Sequence, residues 1–154
     1  MGELFKDQVV LITGGSRGLG RAMAEGFAAE GAKLAIVSRK IEACDAVAEA
    51  MKTAHGTEVF TRATHVGDWD DLDAMVEAVI SHFGRIDVLI NNAGMSPLYP
   101  ALTEVSEALF DKVLSVNLKG PFRLMANVGD RMMRTGGGSI INISSSASVT
   151  KSAN

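Results

Sequence analysis

The sequence predicts an α/β protein built on a doubly wound parallel sheet. Three observations predict it. Short apolar, β-branched runs alternate with longer helical patterns along the whole chain. Runs such as QVVLIT and KLAIVS are continuous rather than alternating, as in parallel strands buried on both faces. A glycine-rich segment, TGGSRGLG at Thr13 to Gly20, sits directly between the first run and the first helix. Together these give a Rossmann-type order, in which such a turn receives a dinucleotide.

The elements follow in sequence. Gln8–Thr13 is the first strand, and Gly18–Glu30 an alanine-rich helix. Lys33–Ser38 and Lys40–Ala54 form the second strand and helix, and Glu58–Ala63 is a weaker third strand. The third helix has the clearest pattern: Leu72, Met75, Val76, Val79, Ile80 and Phe83 recur at helical spacing on one face. Asp68 is its expected N-cap and Gly84 its expected stop. Val88–Ile90 is a fourth strand, running into Asn91-Asn92-Ala93-Gly94. Helices are expected near Ser106–Asn117 and Phe122–Arg134. Three glycines then precede a fifth strand, Ser139–Ile143. Right-handed crossovers give the strand order 3-2-1-4-5, with a ligand crevice between the first and fourth strands.

Composition narrows the function classes. A chain of 154 residues with 47% hydrophobic residues suits a single globular domain. The net charge of −3 argues against a nucleic-acid partner. No apolar run reaches the roughly 20 residues of a membrane helix, and the N-terminus lacks the pattern of a secretory leader. The one cysteine, Cys44, fits a cytoplasmic protein and reads as an inert helix thiol. No cluster has metal-ligand spacing.

In the glycine turn, Gly14 permits the tight bend, while Gly18 and Gly20 let backbone come close to a pyrophosphate. The helix start then offers free N–H groups to phosphate, with Ser16, Arg17 and Leu19 completing the lining. The turn is not a triphosphate P-loop, which would close on Gly-Lys-Ser/Thr, whereas Gly18 is followed by Leu19 and Gly20. A methyltransferase, whose fold also has a glycine-rich turn here, is the competing reading.

Several motifs in order displace that competitor. TGGSRGLG matches a TGxxxGxG turn, NNAG stands at 91–94, Asn117 lies in VNLKGPF and Ser145 in INISSS. On these the sequence resembles the short-chain dehydrogenase/reductase family over its whole length, as the N-terminal part of a longer protein. The resemblance implies hydride transfer between NAD(P) and a small carbonyl or alcohol. It implies Asn92, Ala93 and Gly94 at the cofactor, Ser145 as donor to the substrate oxygen, and Asn117 in a proton relay. The family's tyrosine and lysine, spaced YxxxK, lie beyond the serine, and no such pair follows Ser145 here. Tyr99 is the only tyrosine. The expectation is therefore a fragment of an oxidoreductase. By itself it would be a catalytically inactive dinucleotide-binding module, with an exposed fifth-strand edge and an uncovered helix carrying Phe122, Leu124, Met125, Val128, Met132 and Met133.

An NAD enzyme usually carries an acid at the end of the second strand. Ser38 and Arg39 stand there, and Arg17 lies within the turn. Arginine suits a phosphate on the adenosine ribose, so NADP(H) is expected over NAD(H). At His65-Val66 the family has Asp-Val, whose acid touches the adenine amino group. A neutral imidazole has one acceptor nitrogen and no carboxylate, so His65 is open between a base contact and a partly exposed strand-end residue, and Val66 is expected to wall the adenine. His55 and His82 read as helix-end residues, and the acids at 68, 70, 71 and 73 as favourable charges at a helix start. The methionine-rich helix reads as core or interface packing, and the resemblance implies a homo-oligomer, dimer or tetramer, of the longer protein.

Overall fold

The computed structural model describes residues 2–145. Five parallel strands, β1 (Val9–Thr13), β2 (Lys33–Ser38), β3 (Val59–Ala63), β4 (Val88–Asn91) and β5 (Ser139–Asn142), stand in the order β3-β2-β1-β4-β5. This is the order and class that the sequence predicts. Register is set by pairs such as Leu11 with Ala35 on one side and Leu11 with Leu89 on the other.

Alternation along the strands sends side chains into two separate cores. Val9 and Leu11 join Leu89, Val37 and the helices α3 (Trp69–Phe83) and α5 (Gly120–Arg134) on one face. Val10 and Ile12 join Leu34, Ile36, Ile90 and the helices α1 (Gly18–Ala29) and α2 (Ile41–His55) on the other. Ala24 and Ala28, both fully buried, let α1 lie close to the sheet. Burying each large aliphatic side chain of this kind contributes about 1.5–3 kcal/mol.

Helix α3 is bounded as its sequence predicts. The Asp68 carboxylate accepts from the Asp71 N–H at 3.2 Å, and Gly84 closes the helix in the left-handed conformation. One helical region differs from the expectation. Helix α4 (Glu107–Leu114) does not end before α5 but runs into it through a π-helical turn, Ser115–Lys119. Gly120-Pro121 reads locally as a break. Pro121 sits in the first turn of α5, just after the wide turn has shifted the hydrogen-bond ladder, and the helix continues past it.

The methionine-rich helix is better covered than its sequence suggests. Leu124, Val128 and Met132 are buried against the α3 face of the sheet, while Met133 and Phe122 face outward. On the outer strand Ile140 and Ile141 are exposed, as is Ile143 just past its end, among the described residues.

A polar stitch ties the N-terminal ends of three strands together. The Asp87 carboxylate accepts the Val9 N–H at 2.8 Å and receives the Arg85 guanidinium. Its backbone N–H donates to the Val9 carbonyl, and its carbonyl accepts from Ser139. Nothing in the local sequence pattern marks Asp87 for this role.

Candidate functional site

The C-terminal ends of β1 and β4 face each other across the point where the strand order reverses, which is where ligands of such sheets bind. The glycine turn follows β1 there. Gly14 has φ +65°, a conformation that only glycine adopts without cost. A Cβ on Gly20 would overlap the Gly14 carbonyl oxygen and come within 2.6 Å of the Asn92 amide nitrogen. The first turn of α1 is therefore pressed onto the loop by an approach that no other residue permits.

Thr13 clamps this turn to the segment after β4. Its hydroxyl donates to the Ile90 carbonyl at 3.3 Å and accepts the N–H groups of Asn92 and Ala93 at 3.0 and 3.1 Å. The Asn92 side-chain amide donates to the carbonyls of Thr13 and Gly14 at 3.0 and 3.2 Å. The sequence reading places Asn92 at the cofactor. In the structure its amide holds the turn that would receive the cofactor. The sequence marks Thr13 only as the start of the glycine motif, and its clamping role comes from the fold.

Above this clamp lies a cavity of about 750 Å³. Gly14, Ser16, Arg17, Gly18, Leu19, Gly20, Ser38, Arg39, His65, Val66, Asn92, Ala93 and Gly94 all line it. The local motifs thus converge on one wall although they come from four different loops. The structure adds Lys40, Thr64 and Lys112, which the sequence reading did not single out. Lys112 comes from α4, and only the tertiary fold brings it near. Four permanent cations, Arg17, Arg39, Lys40 and Lys112, border the cavity, and no carboxylate does so among the described residues. Such a wall favours an anionic ligand.

Ser38 ends β2 at this wall. Its hydroxyl lies 3.2 Å from the Cys44 sulfur, and burial pushes the Cys44 thiol up from its ordinary value. The thiolate is disfavoured, in keeping with an inert packed cysteine. At the end of β3, His65 accepts the Gly67 N–H through Nδ1 at 3.1 Å. The neighbouring Thr64 hydroxyl is buried without a partner.

Neither residue assigned to catalysis is itself part of this wall among the described residues, but Asn117 lies behind it. Asn117, in the π-helical turn, clips the backbone of Met95: its amide donates to the Met95 carbonyl at 2.7 Å and its side-chain oxygen accepts the Met95 N–H at 2.9 Å. Met95 in turn lines the cavity. Ser145 follows β5 by three residues, as Gly94 follows β4, and Asn91 pairs with Asn142 in register. The two loops therefore leave adjacent strands at the same end of the sheet. Among the described residues no group of His, Cys, Asp and Glu side chains could hold a metal ion, and no helix is long and apolar enough to cross a membrane.

Comparison with known proteins places these features. The chain is 43% identical over 142 residues to levodione reductase of Leifsonia aquatica, an alignment covering 92% of this chain and 53% of that protein. It superposes with a TM-score of 0.92 and 34% identity on L-sorbose reductase from Gluconobacter frateurii complexed with NADPH and L-sorbose, covering 97% of this chain and 56% of that one. An NAD+-bound xylitol dehydrogenase matches with a TM-score of 0.91 at 28% identity, covering 97% and 57%. The chain spans about half the length of the curated relatives it matches. The family model described as short chain dehydrogenase matches residues 8–154. With the strand order, the glycine turn and that match in agreement, the chain belongs to the short-chain dehydrogenase family.

Proposed function

We propose that this chain is the dinucleotide-binding domain of an NADP(H)-dependent oxidoreductase that moves hydride between the nicotinamide and a small carbonyl or alcohol. The observation that carries the reading is the cavity wall: a glycine turn at the switch point, flanked by four cations and, among the described residues, no carboxylate. The residues present fit a dinucleotide. The turn leaves no room for a Cβ at Gly20 and opens α1 toward the cavity, where the helix start favours phosphate. Ser16 to Gly20 would hold the pyrophosphate. Arg17 and Arg39 would hold a phosphate on the adenosine ribose, beside Ser38, and no carboxylate among the described residues lines the cavity to repel it. Val66 would wall the base, and Asn92 to Gly94 would border the central part of the cofactor.

When bound, the nicotinamide supplies the hydride chemistry. Asn117 holds Met95, and with it the loop after β4, against the cavity. Ser145 would donate to the substrate oxygen as charge develops there. Relatives point both ways on the dinucleotide, one structure carrying NADPH and another NAD+. Arg17 and Arg39 on the cavity wall support the NADP(H) reading.

The test is a titration of the full-length protein with NADPH and NADH. NADPH is expected to bind more tightly, and Arg39→Ala to weaken NADPH by about tenfold or more while changing NADH little. Tighter binding of NADH to the unaltered protein would sink the assignment.

A second reading concerns this chain by itself. Tyr99 is its only tyrosine, and it does not line the cavity among the described residues. The 154-residue chain is then a binding module without turnover, and catalysis belongs to a longer protein acting as a cytoplasmic homo-oligomer. Purified residues 1–154 are expected to oxidise no NADPH with any carbonyl substrate. Measurable oxidation by that chain would overturn this second reading.

A further inference from the structure

At the end of β2 the backbone is tied down on both sides. The Val37 carbonyl accepts the Gly14 N–H at 2.8 Å, which sets the end of β2 against the glycine turn. The Ser38 carbonyl accepts the Thr64 N–H, also at 2.8 Å. Ser38 lines the cavity beside Arg39, and Arg17 lines it from the turn. The adenosine ribose of a dinucleotide held by such a turn meets the end of this strand.

Two groups lie against the Ser38 hydroxyl. The Lys40 carbonyl is 3.5 Å from Oγ, the far limit of a hydrogen bond, and it already accepts the Cys44 N–H at 3.3 Å. A carbonyl only accepts, so the hydroxyl proton points to it. The Cys44 sulfur lies 3.2 Å from the same Oγ. With the hydroxyl proton turned to the carbonyl, the thiol is the donor and Oγ the acceptor. Cys44 is buried in the apolar core that α1 and α2 share with the sheet, and burial keeps the proton on its sulfur.

This arrangement limits how Ser38 can act. A serine hydroxyl has one proton and two lone pairs. The thiol occupies a lone pair, so the proton cannot turn inward to the sulfur. A phosphate on the ribose offers charged acceptor oxygens. Exchanging the 3.5 Å carbonyl for one of them gains a charge-assisted bond. A bare ribose hydroxyl is a neutral acceptor and gains less.

We propose that Cys44 is a positioning residue for the cofactor: its buried S–H donates to Ser38 Oγ, leaves the Ser38 proton for a phosphate on the ribose, and so sharpens the preference for NADP(H) over NAD(H). The proposal rests on the NADP(H) reading and deepens it. Cys44 lies behind the wall and acts only through Ser38.

The experiment measures Kd for NADPH and NADH by fluorescence titration of the full-length protein, of Cys44→Ala, of Ser38→Ala and of the double variant. Cys44→Ala is expected to weaken NADPH about three- to tenfold and NADH less than about twofold, the scale of part of one charge-assisted hydrogen bond. With Ser38 already replaced, Cys44→Ala is expected to leave the ratio of the two constants unchanged. Cys44→Ser keeps a donor and is expected to retain most of the parent's ratio. Equal weakening of both dinucleotides by Cys44→Ala, or no weakening, would overturn the proposal and leave the NADP(H) reading standing. Tighter binding of NADH to the unaltered protein would overturn both, as would failure of either dinucleotide to bind. Raman spectroscopy without ligand gives a readout independent of affinity. A donating thiol has a lowered S–H stretch, so Ser38→Ala is expected to raise the Cys44 band. A band that stays in place would refute the proposal even if Cys44→Ala failed to fold.

Discussion

Strands β1 and β5 look alike in sequence and differ in fate. Both are short, apolar and parallel, and both carry adjacent isoleucine, leucine or valine residues. Every residue of β1 is buried, whereas every residue of β5 is exposed. The difference lies in neighbours. β1 has a strand on each side and helices on each face, while β5 pairs only with β4 among the described residues. Apolar composition proposes burial, and only the packing of other elements delivers it.

The largest expected effect sharpens that contrast. Leu11→Ala should cost about 3–4 kcal/mol, because Leu11 is fully buried between two strands and under α3. Ile141→Ala, at 42% exposure, should cost less than about 1 kcal/mol in the same protein chain. Urea midpoints of the two variants of residues 1–154 measure this directly. Equal losses would mean that β5 is packed as tightly as β1 in solution, and the comparison would fail.

Next in size is Asp87, which stands at the start of β4 and ties it to β1 and β5. Asp87→Ala removes the acceptor for the Val9 N–H and leaves the Arg85 guanidinium without its partner. Leaving a buried backbone donor unmet costs about 1–3 kcal/mol. Hydrogen exchange should then rise at Val9 at the start of β1. A variant with the stability and exchange of the parent would show that the carboxylate is dispensable there.

What was legible in the sequence follows the range of each interaction. Strand order, the α3 caps and the glycine turn were readable because period, cap residues and turn chemistry are local signals. Thirteen residues assigned to the cofactor all line one cavity, since each belongs to a loop that leaves the same end of the sheet. The clamp between Thr13 and Asn92 was not readable, because its partners lie 79 residues apart. Lys112 escaped for the same reason: a lysine on an amphipathic helix looks like any solvated charge until the fold turns it toward the cavity. The π-helical turn is not legible because Gly120-Pro121 carries the local signal of a break, whereas the turn that carries the helix into Pro121 has no local signature.

The smallest expected effect concerns how α5 is held beside the exposed strand. Arg123 grips Asp73 of α3 through two nitrogens, Asn127 adds a bond to the same carboxylate at 2.8 Å, and Arg123 lies 4.6 Å from the Trp69 ring. The hydrogen bond from Arg123, with a further contribution from Asn127, holds the Asp73 carboxyl below its ordinary value. In the unfolded chain that carboxyl returns to about 4. A carboxyl whose value is depressed on folding adds stability above its unfolded value, and that contribution is lost as pH falls through the folded value. Asp73→Asn should therefore lower the urea midpoint modestly at pH 7, with the gap to the parent closing as the solution is acidified below about pH 4. The pair is partly solvated, so salt should narrow the gap as well. A gap that stays constant with pH would mean that the Asp73 charge does not hold α5, leaving that work to Leu124, Val128 and Met132 and to the Arg131–Glu77 pair.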